Sequence, residues 1–195
     1  MEFLIQLEKE HLLFLEALIQ SVHTSAYSIN ASLGGNRMEQ LRLRRFTDED
    51  IPLFSIWLNK EYILKWYEDP DAWLAEIKGR TKEFSFITHF IVLYEGKPIG
   101  FCQYYPCANA GEVWYGEIPA EGSYSLDYLI GEEEYLGKGL GKGIIQLLTD
   151  KVFQQVDAER IIVQPESENG ASCRALLASG FCFDERNQLY CRNKE

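Results

Sequence analysis

Residues 124–143 read YSLDYLIGEEEYLGKGLGKG, and the fold can be inferred outward from this segment. A short apolar run suited to a buried strand leads into a loop whose glycines occupy alternate positions: Gly137, Gly139, Gly141 and Gly143. An amphipathic segment, residues 144–156, follows at once. Glycine lets the main chain approach a ligand closely, and the N–H groups at a helix N-terminus attract phosphate. With Lys138 and Lys142 adding positive charge, the loop is predicted to hold a phosphate ester.

The spacing of the glycines separates this loop from two other phosphate-binding motifs. No Gly-Lys pair is followed by Ser or Thr, as a P-loop requires, and neither Gly137 nor Gly139 begins a Gly-x-Gly-x-x-Gly dinucleotide motif. Gly139-Leu140-Gly141, after a strand and opening a helix, resembles the pyrophosphate loop of the GNAT acetyltransferases, Gln/Arg-x-x-Gly-x-Gly/Ala. Leu136 stands where the motif has Gln or Arg, and this is a departure from the family pattern. A glycine-rich tip without a ligand is the alternative.

The resemblance extends over about Leu41 to Arg192. Residues 160–164 read as a buried strand, and a helical stretch begins at Asn169 and is closed by Gly180-Phe181, similar to the family's second coenzyme-contacting helix. Residues 90–101 read as a hairpin with its turn at Glu95-Gly96. The order of these segments, and of the segments that precede them, resembles the order found in the aminoglycoside 6′-N-acetyltransferases. Those earlier segments are 41–45, 47–50, 57–59 and Trp66-Tyr67, and Gln103 lies just beyond the hairpin.

These features predict a mixed α/β (α+β) fold, in which a mostly antiparallel central sheet is flanked by helices. After the first strand we expect a helix over about residues 47–59, a polar and aromatic segment to Arg80, and an irregular stretch over 112–124. Residues 1–37 are predicted to be a helix plus a linker, and 38–195 the acetyltransferase domain. Met38 is an alternative start of the chain.

Composition limits the class of partner. The formal net charge of −11 over 195 residues disfavours nucleic acid and favours a small cationic molecule. Five Cys without a Cys-x-x-Cys pair, and three His at no ligand spacing to them, predict neither a metal site nor a disulfide framework. Charges interrupt the N-terminal apolar stretch, so neither a signal peptide nor a membrane span is expected. We therefore expect a cytoplasmic protein, either a monomer or a homodimer.

Acetyl transfer to an amine needs a group that accepts a proton from the ammonium form. Asp127 is the candidate, because an aspartate is rarely found inside an apolar strand unless it has a specific role. The aminoglycoside branch of the family also has an Asp at the matching position. An Asp that caps a turn or pairs with a Lys is the alternative. The resemblance implies acetyl-CoA as cosubstrate, without a metal, bound by the strand end, the glycine loop and the second helix. The expected residues are Leu129, Ile130, Gly131, Gly137, Lys138, Gly139, Leu140, Gly141, Lys142 and Asn169.

One departure concerns the leaving thiolate. The family's second helix usually carries a Tyr that protonates this group, and Leu176 stands at that position. An aliphatic side chain cannot donate a proton, so water or another hydroxyl is needed. Tyr128, Tyr135 and Tyr190 are possible substitutes, and each is also explained by ordinary packing.

Aromatic and acidic residues suit an acceptor that carries sugar rings and amino groups. Core packing is the alternative for each aromatic residue taken singly. The predicted acceptor is the 6′-amine of an aminoglycoside antibiotic; the alternatives are a polyamine, a siderophore hydroxylamine, a protein N-terminus, or a non-catalytic acyl-CoA-binding module. The expected acceptor-binding residues are Trp66, Tyr67, Gln103, Tyr105, Glu112, Trp114, Tyr115, Glu117 and Asp127. Glu132, Glu133 and Glu134 are expected to form a solvated turn.

Overall fold

The computed structural model describes residues 40–195, so the expectations for residues 1–37 and for Met38 as a start lie outside it. Within the described residues, seven strands form one sheet in the order β1-β2-β3-β4-β5-β7-β6. All neighbours are antiparallel except β4 and β5, and the expected mixed sheet is confirmed. The strands are β1 Leu41–Arg45, β2 Thr88–Tyr94, β3 Lys97–Pro106, β4 Ser123–Ile130, β5 Arg160–Val163, β6 Cys182–Asp184 and β7 Leu189–Asn193.

Helices cover both faces of the sheet. The predicted helix after β1 is a short 3-10 turn, Asp48–Asp50, that leads into α1. The long helix after the glycine loop starts at Leu140, earlier than the expected residue 144, and ends at Phe153. The α-helices are α1 Ile51–Leu58, α2 Glu61–Tyr67, α3 Pro70–Gly79, α4 Cys107–Ala110, α5 Leu140–Phe153 and α6 Gly170–Ala178. None of the helices within residues 40–195 has the length and apolar character needed to cross a bilayer.

The polar and aromatic segment before Arg80 is more regular than the sequence pattern indicated, because it forms α2 and α3. Asp69 caps α3, since its carboxylate accepts hydrogen bonds from the N–H groups of Asp71 and Ala72 at 3.1 and 3.0 Å. Pro70 fits the first helical position, where no hydrogen-bonding N–H is required. These helices bring Trp66, Tyr67 and Trp73 to one end of the sheet.

Two apolar clusters lie on opposite faces of the sheet. On one face, Phe54, Trp57 and Ile77 from α1 and α3 pack with Phe101 and Leu129. On the other face, residues of α5 and α6 pack with the alternate positions of the strands, including Leu126, Ile144, Leu148 and Leu176. Because side chains alternate along a strand, neighbouring residues of β4 face different sets of helices.

The parallel pair β4 and β5 separates after a short stretch. Their pairing involves only residues 123–125 of β4, although β4 continues to Ile130. Beyond that point β4 is paired on one side only, with β3. The remaining edge of β4, over residues 126–130, opens onto a cleft.

Candidate active site

A cleft of about 870 Å³ follows the open edge of β4. Its walls are residues 125–130 of β4, the glycine loop, residues 163–166 at and after the end of β5, the face of α6, and aromatic residues of α2 and α3. One half therefore contains the glycine loop and α6, and the other half contains the aromatic side chains. Asp127 and Tyr128 lie between the two halves.

The glycine loop has the backbone conformation that the sequence suggested. Gly137 and Gly139 have φ angles of 69° and 76°, a region that favours glycine, and no atom lies within 4 Å of where a Cβ would be at either position. Gly139 precedes α5, and no side chain caps the helix there. The first N–H groups of α5 are thus presented at the cleft, with the positive end of the helix dipole. Lys142 and Arg174 contribute positive charge beside them.

Asn169 fixes the start of α6. Its Oδ1 accepts a hydrogen bond from the Ser172 N–H at 3.1 Å, which is the usual N-cap interaction. The Ser172 hydroxyl is 2.6 Å from the Tyr128 hydroxyl, so α6 is also joined to β4. All three residues line the cleft.

Asp127 is half-buried in the middle of the cleft and is held by Gln103. Gln103 Nε2 donates a hydrogen bond to Asp127 Oδ2 at 2.9 Å. Burial raises the pKa of the Asp127 carboxyl to about 7; the hydrogen bond from Gln103 opposes this rise, and Glu76 and Glu112 add to it. A carboxyl with a pKa near neutrality is suited to general acid–base chemistry.

A row of polar side chains runs across the sheet beneath the cleft. His89, Gln103 and Asp127 are register partners on β2, β3 and β4. His89 Nε2 is 3.3 Å from Glu76 Oε1 on α3. Within residues 40–195, no group of three or more His, Cys, Asp or Glu side chains is arranged to hold a metal ion.

Aromatic side chains dominate the half of the cleft on the α2 and α3 side. The Tyr67 and Trp73 rings are 4.9 Å apart, and Tyr67 lies close to Asp127 and to the main chain of Tyr128. Glu112 faces this group, because its Oε2 accepts hydrogen bonds from Trp114 Nε1 at 2.7 Å and from the Tyr105 hydroxyl at 3.2 Å. This half thus combines aromatic faces with two carboxylates.

A family model described as an acetyltransferase (GNAT) domain matches residues 47–189. The chain belongs to the GNAT acetyltransferase family. It is therefore an acetyltransfer enzyme, as the sequence predicted.

This GNAT domain has similar relatives among characterised proteins. It is 27% identical over 169 residues to the aminoglycoside N(6′)-acetyltransferase type 1 of Klebsiella pneumoniae, covering 84% of each chain. The crystal structure of the aminoglycoside acetyltransferase AAC(6′)-Ib with coenzyme A superimposes with a TM-score of 0.69 at 23% identity, covering 79% of this chain and 95% of that one. The same enzyme with coenzyme A and kanamycin gives a TM-score of 0.66 at 23% identity, with the same coverage. At that identity, the structural likeness supports the fold.

Most residues expected to contact the coenzyme in this GNAT domain do line the cleft. They are Leu129, Ile130, Gly137, Gly139, Leu140, Gly141, Lys142 and Asn169. The Lys138 ammonium instead lies 5.1 Å from the centre of the Tyr135 ring, and Lys138 is not part of the cleft wall. Gly131 is also outside the wall.

The main chain at Gly131 is occupied by other contacts. Its N–H donates to the Ile99 carbonyl at 2.8 Å, and its carbonyl accepts hydrogen bonds from Lys60 Nζ and the Tyr62 hydroxyl at 2.6 and 2.7 Å. A Cβ at this position would overlap the Trp57 indole. The glycine at the end of β4 is therefore explained by the close approach of Trp57.

The turn after Gly131 was expected to be solvated, and its first residue, Glu132, is only partly so. Glu132 accepts a hydrogen bond from Trp57 Nε1 at 2.7 Å and forms an ion pair with Lys60 at 3.1 Å. Glu133 and Glu134 are exposed, as expected. The Glu132 contacts fasten the end of β4 to α1.

The structure places only some of the residues expected to bind the acceptor at the cleft. The structure brings Trp66, Tyr67, Tyr105, Trp114 and Asp127 to the cleft. Gln103 is buried beneath it, against Asp127. Tyr115 is buried in a separate apolar cluster with its hydroxyl directed to the Cys107 carbonyl, and Glu117 is exposed outside the cleft in an ion pair with Arg186.

Several cleft residues were not found by sequence reasoning. Trp73 could have been inferred from the helical pattern that starts at the Asp69 cap. Ser172 carried no signal, because a serine in a helix has no distinguishing neighbour in the sequence. The residues missed include Tyr62, Trp73, Ser125, Gln164, Glu166, Ser172 and Arg174.

Proposed function

We propose that this protein transfers the acetyl group of acetyl-CoA to the 6′-amine of aminoglycoside antibiotics. The observation that carries the proposal is the position of Asp127. Its carboxyl, with a pKa near 7, lies between the N-terminus of the helix after the glycine loop and a wall of aromatic and acidic side chains. The relatives named aminoglycoside N(6′)-acetyltransferases support this acceptor.

The glycine-loop half fits coenzyme A. Gly139 and Gly141 leave the first N–H groups of α5 open to a diphosphate, and Lys142 supplies a cation beside them. The unpaired edge of β4 over residues 126–130 offers main-chain groups to the amide-bearing arm of the cosubstrate. When bound, acetyl-CoA supplies an activated acetyl thioester.

The other half fits a polycation with ring faces. Trp66, Tyr67 and Trp114 offer aromatic surfaces on which sugar rings stack. Asp127 and Glu112 attract ammonium groups, and their separation by aromatic side chains suits an acceptor with more than one amine. The net charge of −11 favours the approach of such a molecule.

Asp127 acts on the ammonium form of the acceptor. Its carboxylate binds the ammonium and then accepts a proton, directly or through water, which leaves a neutral amine able to attack a carbonyl. Gln103 Nε2 keeps Asp127 in place during this step, since the hydrogen bond is available to the carboxylate oxygen throughout.

The test is an acceptor panel with purified protein and acetyl-CoA, in which release of free thiol reports transfer. Neomycin and paromomycin form the matched pair, because they differ in carrying an amine or a hydroxyl at the 6′ position. We expect turnover with kanamycin, tobramycin and neomycin, and little with paromomycin. Spermidine, an alkyl hydroxylamine and a peptide with a free N-terminus complete the panel.

The kcat/KM values of the panel decide the acceptor. A value for spermidine, the hydroxylamine or the peptide well above that for neomycin would contradict the proposal and identify the acceptor class instead. Equal rates with neomycin and paromomycin would place acetylation at another amine. Nuclear magnetic resonance of the kanamycin product locates the acetyl group independently.

A further inference from the structure

The residue expected to assist the leaving thiolate is absent from its usual position. Leu176 occupies that position, and it is fully buried in the cluster formed by α5, α6 and the sheet. Its side chain has no hydrogen-bond donor. Acetyl transfer by this chain therefore either uses another donor near the reacting sulfur or proceeds without one.

The Tyr128 and Ser172 hydroxyls meet in the wall of the cleft. Their oxygens are 2.6 Å apart, and both side chains line the cleft wall. Ser172 lies one helical turn before Leu176, on the same face of α6. A hydroxyl pair thus stands one turn away from the position where a tyrosine is usual.

Tyr128 also lies on the face of β4 opposite to Asp127, which is the side where the leaving sulfur is expected. Asp127 faces α1–α3 together with Gln103, whereas Tyr128 packs with the cluster formed by α5 and α6. The two neighbours therefore bracket the edge of β4 from opposite faces. When the acceptor amine approaches from the side of Asp127, the coenzyme sulfur departs on the opposite side, where Tyr128 lies.

The other tyrosines near the cleft are less suited to this role. Tyr135 and Tyr190 do not line the cleft. The Tyr62 hydroxyl donates to the Gly131 carbonyl at 2.7 Å, and the Tyr105 hydroxyl donates to Glu112 at 3.2 Å on the acceptor side. Tyr67 lies beside Asp127.

We propose that the Tyr128 hydroxyl, held in place by Ser172, donates a hydrogen bond to the coenzyme sulfur and stabilises the thiolate as it leaves. As the carbon–sulfur bond breaks and its electron pair moves to sulfur, Tyr128 Oη–H points to the growing negative charge. Asp127 first passes the proton of the ammonium form to solvent, and the neutral amine nitrogen then forms the new bond to the acetyl carbon and loses its second proton to Asp127. The thiolate takes its proton from water when it departs, so the products are an amide, a thiol and a proton.

The charge state of Tyr128 suits a donor that keeps its proton. Burial raises the pKa of the Tyr128 hydroxyl far above neutrality, so the hydroxyl is uncharged at working pH. A thiol has a pKa of about 8.5, so a thiolate is a weaker base than a tyrosinate. Stabilisation by a hydrogen bond is therefore the favourable arrangement, and full proton transfer from Tyr128 is not required.

The test measures the pKa of the thiol in the complex with coenzyme A, which requires no acceptor. The ultraviolet absorbance of the thiolate is titrated for the wild type and for Tyr128→Phe, with S-methyl-coenzyme A as the reference that does not ionise. We expect the bound thiol to have a pKa about one unit higher in Tyr128→Phe, because a hydrogen bond to a charged group is lost. The Kd of coenzyme A at about pH 6, where the thiol is neutral, should change less than about threefold, as expected for a group that acts on the charge.

The control is Tyr190→Phe, which removes a hydroxyl beside Cys173, the neighbour of Ser172, outside the cleft. It should leave the thiol pKa unchanged. Ser172→Ala keeps the Tyr128 hydroxyl but removes its anchor, so a smaller shift in the same direction is expected. An identical thiol pKa in the wild type and in Tyr128→Phe, with coenzyme A bound in both, would overturn the inference. If Tyr128→Phe fails to fold, the Ser172→Ala titration decides in the same way.

The inference rests on coenzyme A binding and acetyl transfer, and not on which amine is the acceptor. Once an acceptor is identified, kcat with Tyr128→Phe should fall about tenfold or more while the KM for acetyl-CoA stays near that of the wild type. A failed acceptor panel would leave the thiol titration interpretable. A failure to bind coenzyme A would remove both proposals, and the titration reports this separately.

Discussion

Gln103 and Asp127 are register partners on β3 and β4, and Gln103 Nε2 donates to Asp127 Oδ2 at 2.9 Å. Among the described residues, Gln103 Oε1 is a buried side-chain oxygen without a hydrogen-bond partner. An unsatisfied buried acceptor is destabilising, by about 1–3 kcal/mol. The arrangement is best explained by what it does for Asp127: the amide orients the carboxyl and lowers its pKa against the effect of burial.

Gln103→Met should remove this hydrogen bond and keep a side chain of similar size. Because the bond lowers the pKa of Asp127, its loss should move the acidic limb of the kcat/KM profile from about pH 7 to higher pH. The rate at pH 7 should fall about tenfold. The full pH profile is the measurement, and an unmoved acidic limb would show that Gln103 does not act through Asp127.

Asp127→Asn should abolish most activity and stabilise the fold at alkaline pH. Folding raises the pKa of Asp127 from 3.8 to about 7, so the unfolded chain binds fewer protons than the folded one between these values, and stability falls as pH rises through them. The amide that replaces the carboxyl in this variant does not ionise, and its oxygen can still accept a hydrogen bond from Gln103. We expect kcat to fall about a hundredfold or more.

The free energy of unfolding of that variant should exceed that of the wild type by about 1 kcal/mol at about pH 8, a value discounted for partial exposure. The gain should vanish near pH 4, where Asp127 is neutral in the folded protein. Urea titrations at both pH values measure it. A gain of equal size at both would mean that packing, and not charge, is responsible.

Gly139→Ala and Gly141→Ala should affect stability in opposite directions. Gly139 has φ 76°, which costs an alanine about 1 kcal/mol, although its surroundings have room for a methyl group. Gly141 is inside α5, where alanine is favoured over glycine by about 0.5–1 kcal/mol, and a Cβ would meet Ala175 at an ordinary 3.7 Å. Thermal unfolding compares the two.

Both glycine variants should nevertheless bind coenzyme A more weakly, with a Kd about tenfold higher, if main-chain amides hold its diphosphate. Calorimetry with coenzyme A provides the measurement. A stabilised Gly141→Ala protein with unchanged affinity would indicate that the diphosphate does not lie against the start of α5.

Glu112→Gln should weaken the binding of a polycationic acceptor. Glu112 is held towards the cleft by Trp114 and Tyr105, and its charge raises the pKa of Asp127. We expect the KM for an aminoglycoside to rise about fivefold at low ionic strength and less at high salt. The acidic limb of the pH profile should move to lower pH, opposite to the change in Gln103→Met.

Glu117→Gln is the matched control for that change, because Glu117 lies in the same loop but outside the cleft, paired with Arg186. It should leave KM and the pH profile unchanged. Equal effects of the two substitutions would indicate that overall charge, and not a bound carboxylate, governs acceptor binding.

The features that depend on neighbouring residues could be read from the order of amino acids alone. A strand, a run of alternate glycines and a helix follow one another in residues 124–153, and local backbone chemistry is enough to predict a phosphate-binding loop there. Strand alternation set Asp127 opposite Leu126 and Tyr128, as the structure has it. The turn predicted at Glu95-Gly96 forms there, and Gly96 tolerates the positive φ that both residues adopt.

Which distant side chains share the cleft depends on the packing of the folded chain. Glu112 is hydrogen-bonded to two residues of the cleft wall, Trp114 and Tyr105, whereas Glu117 is paired with Arg186 away from it, and no local pattern encodes these contacts. Gln103 lies under Asp127 through the register of β3 on β4. Tyr128 meets Ser172 because β4 and α6, which are distant in the sequence, line the same cleft, and such packing depends on the whole core.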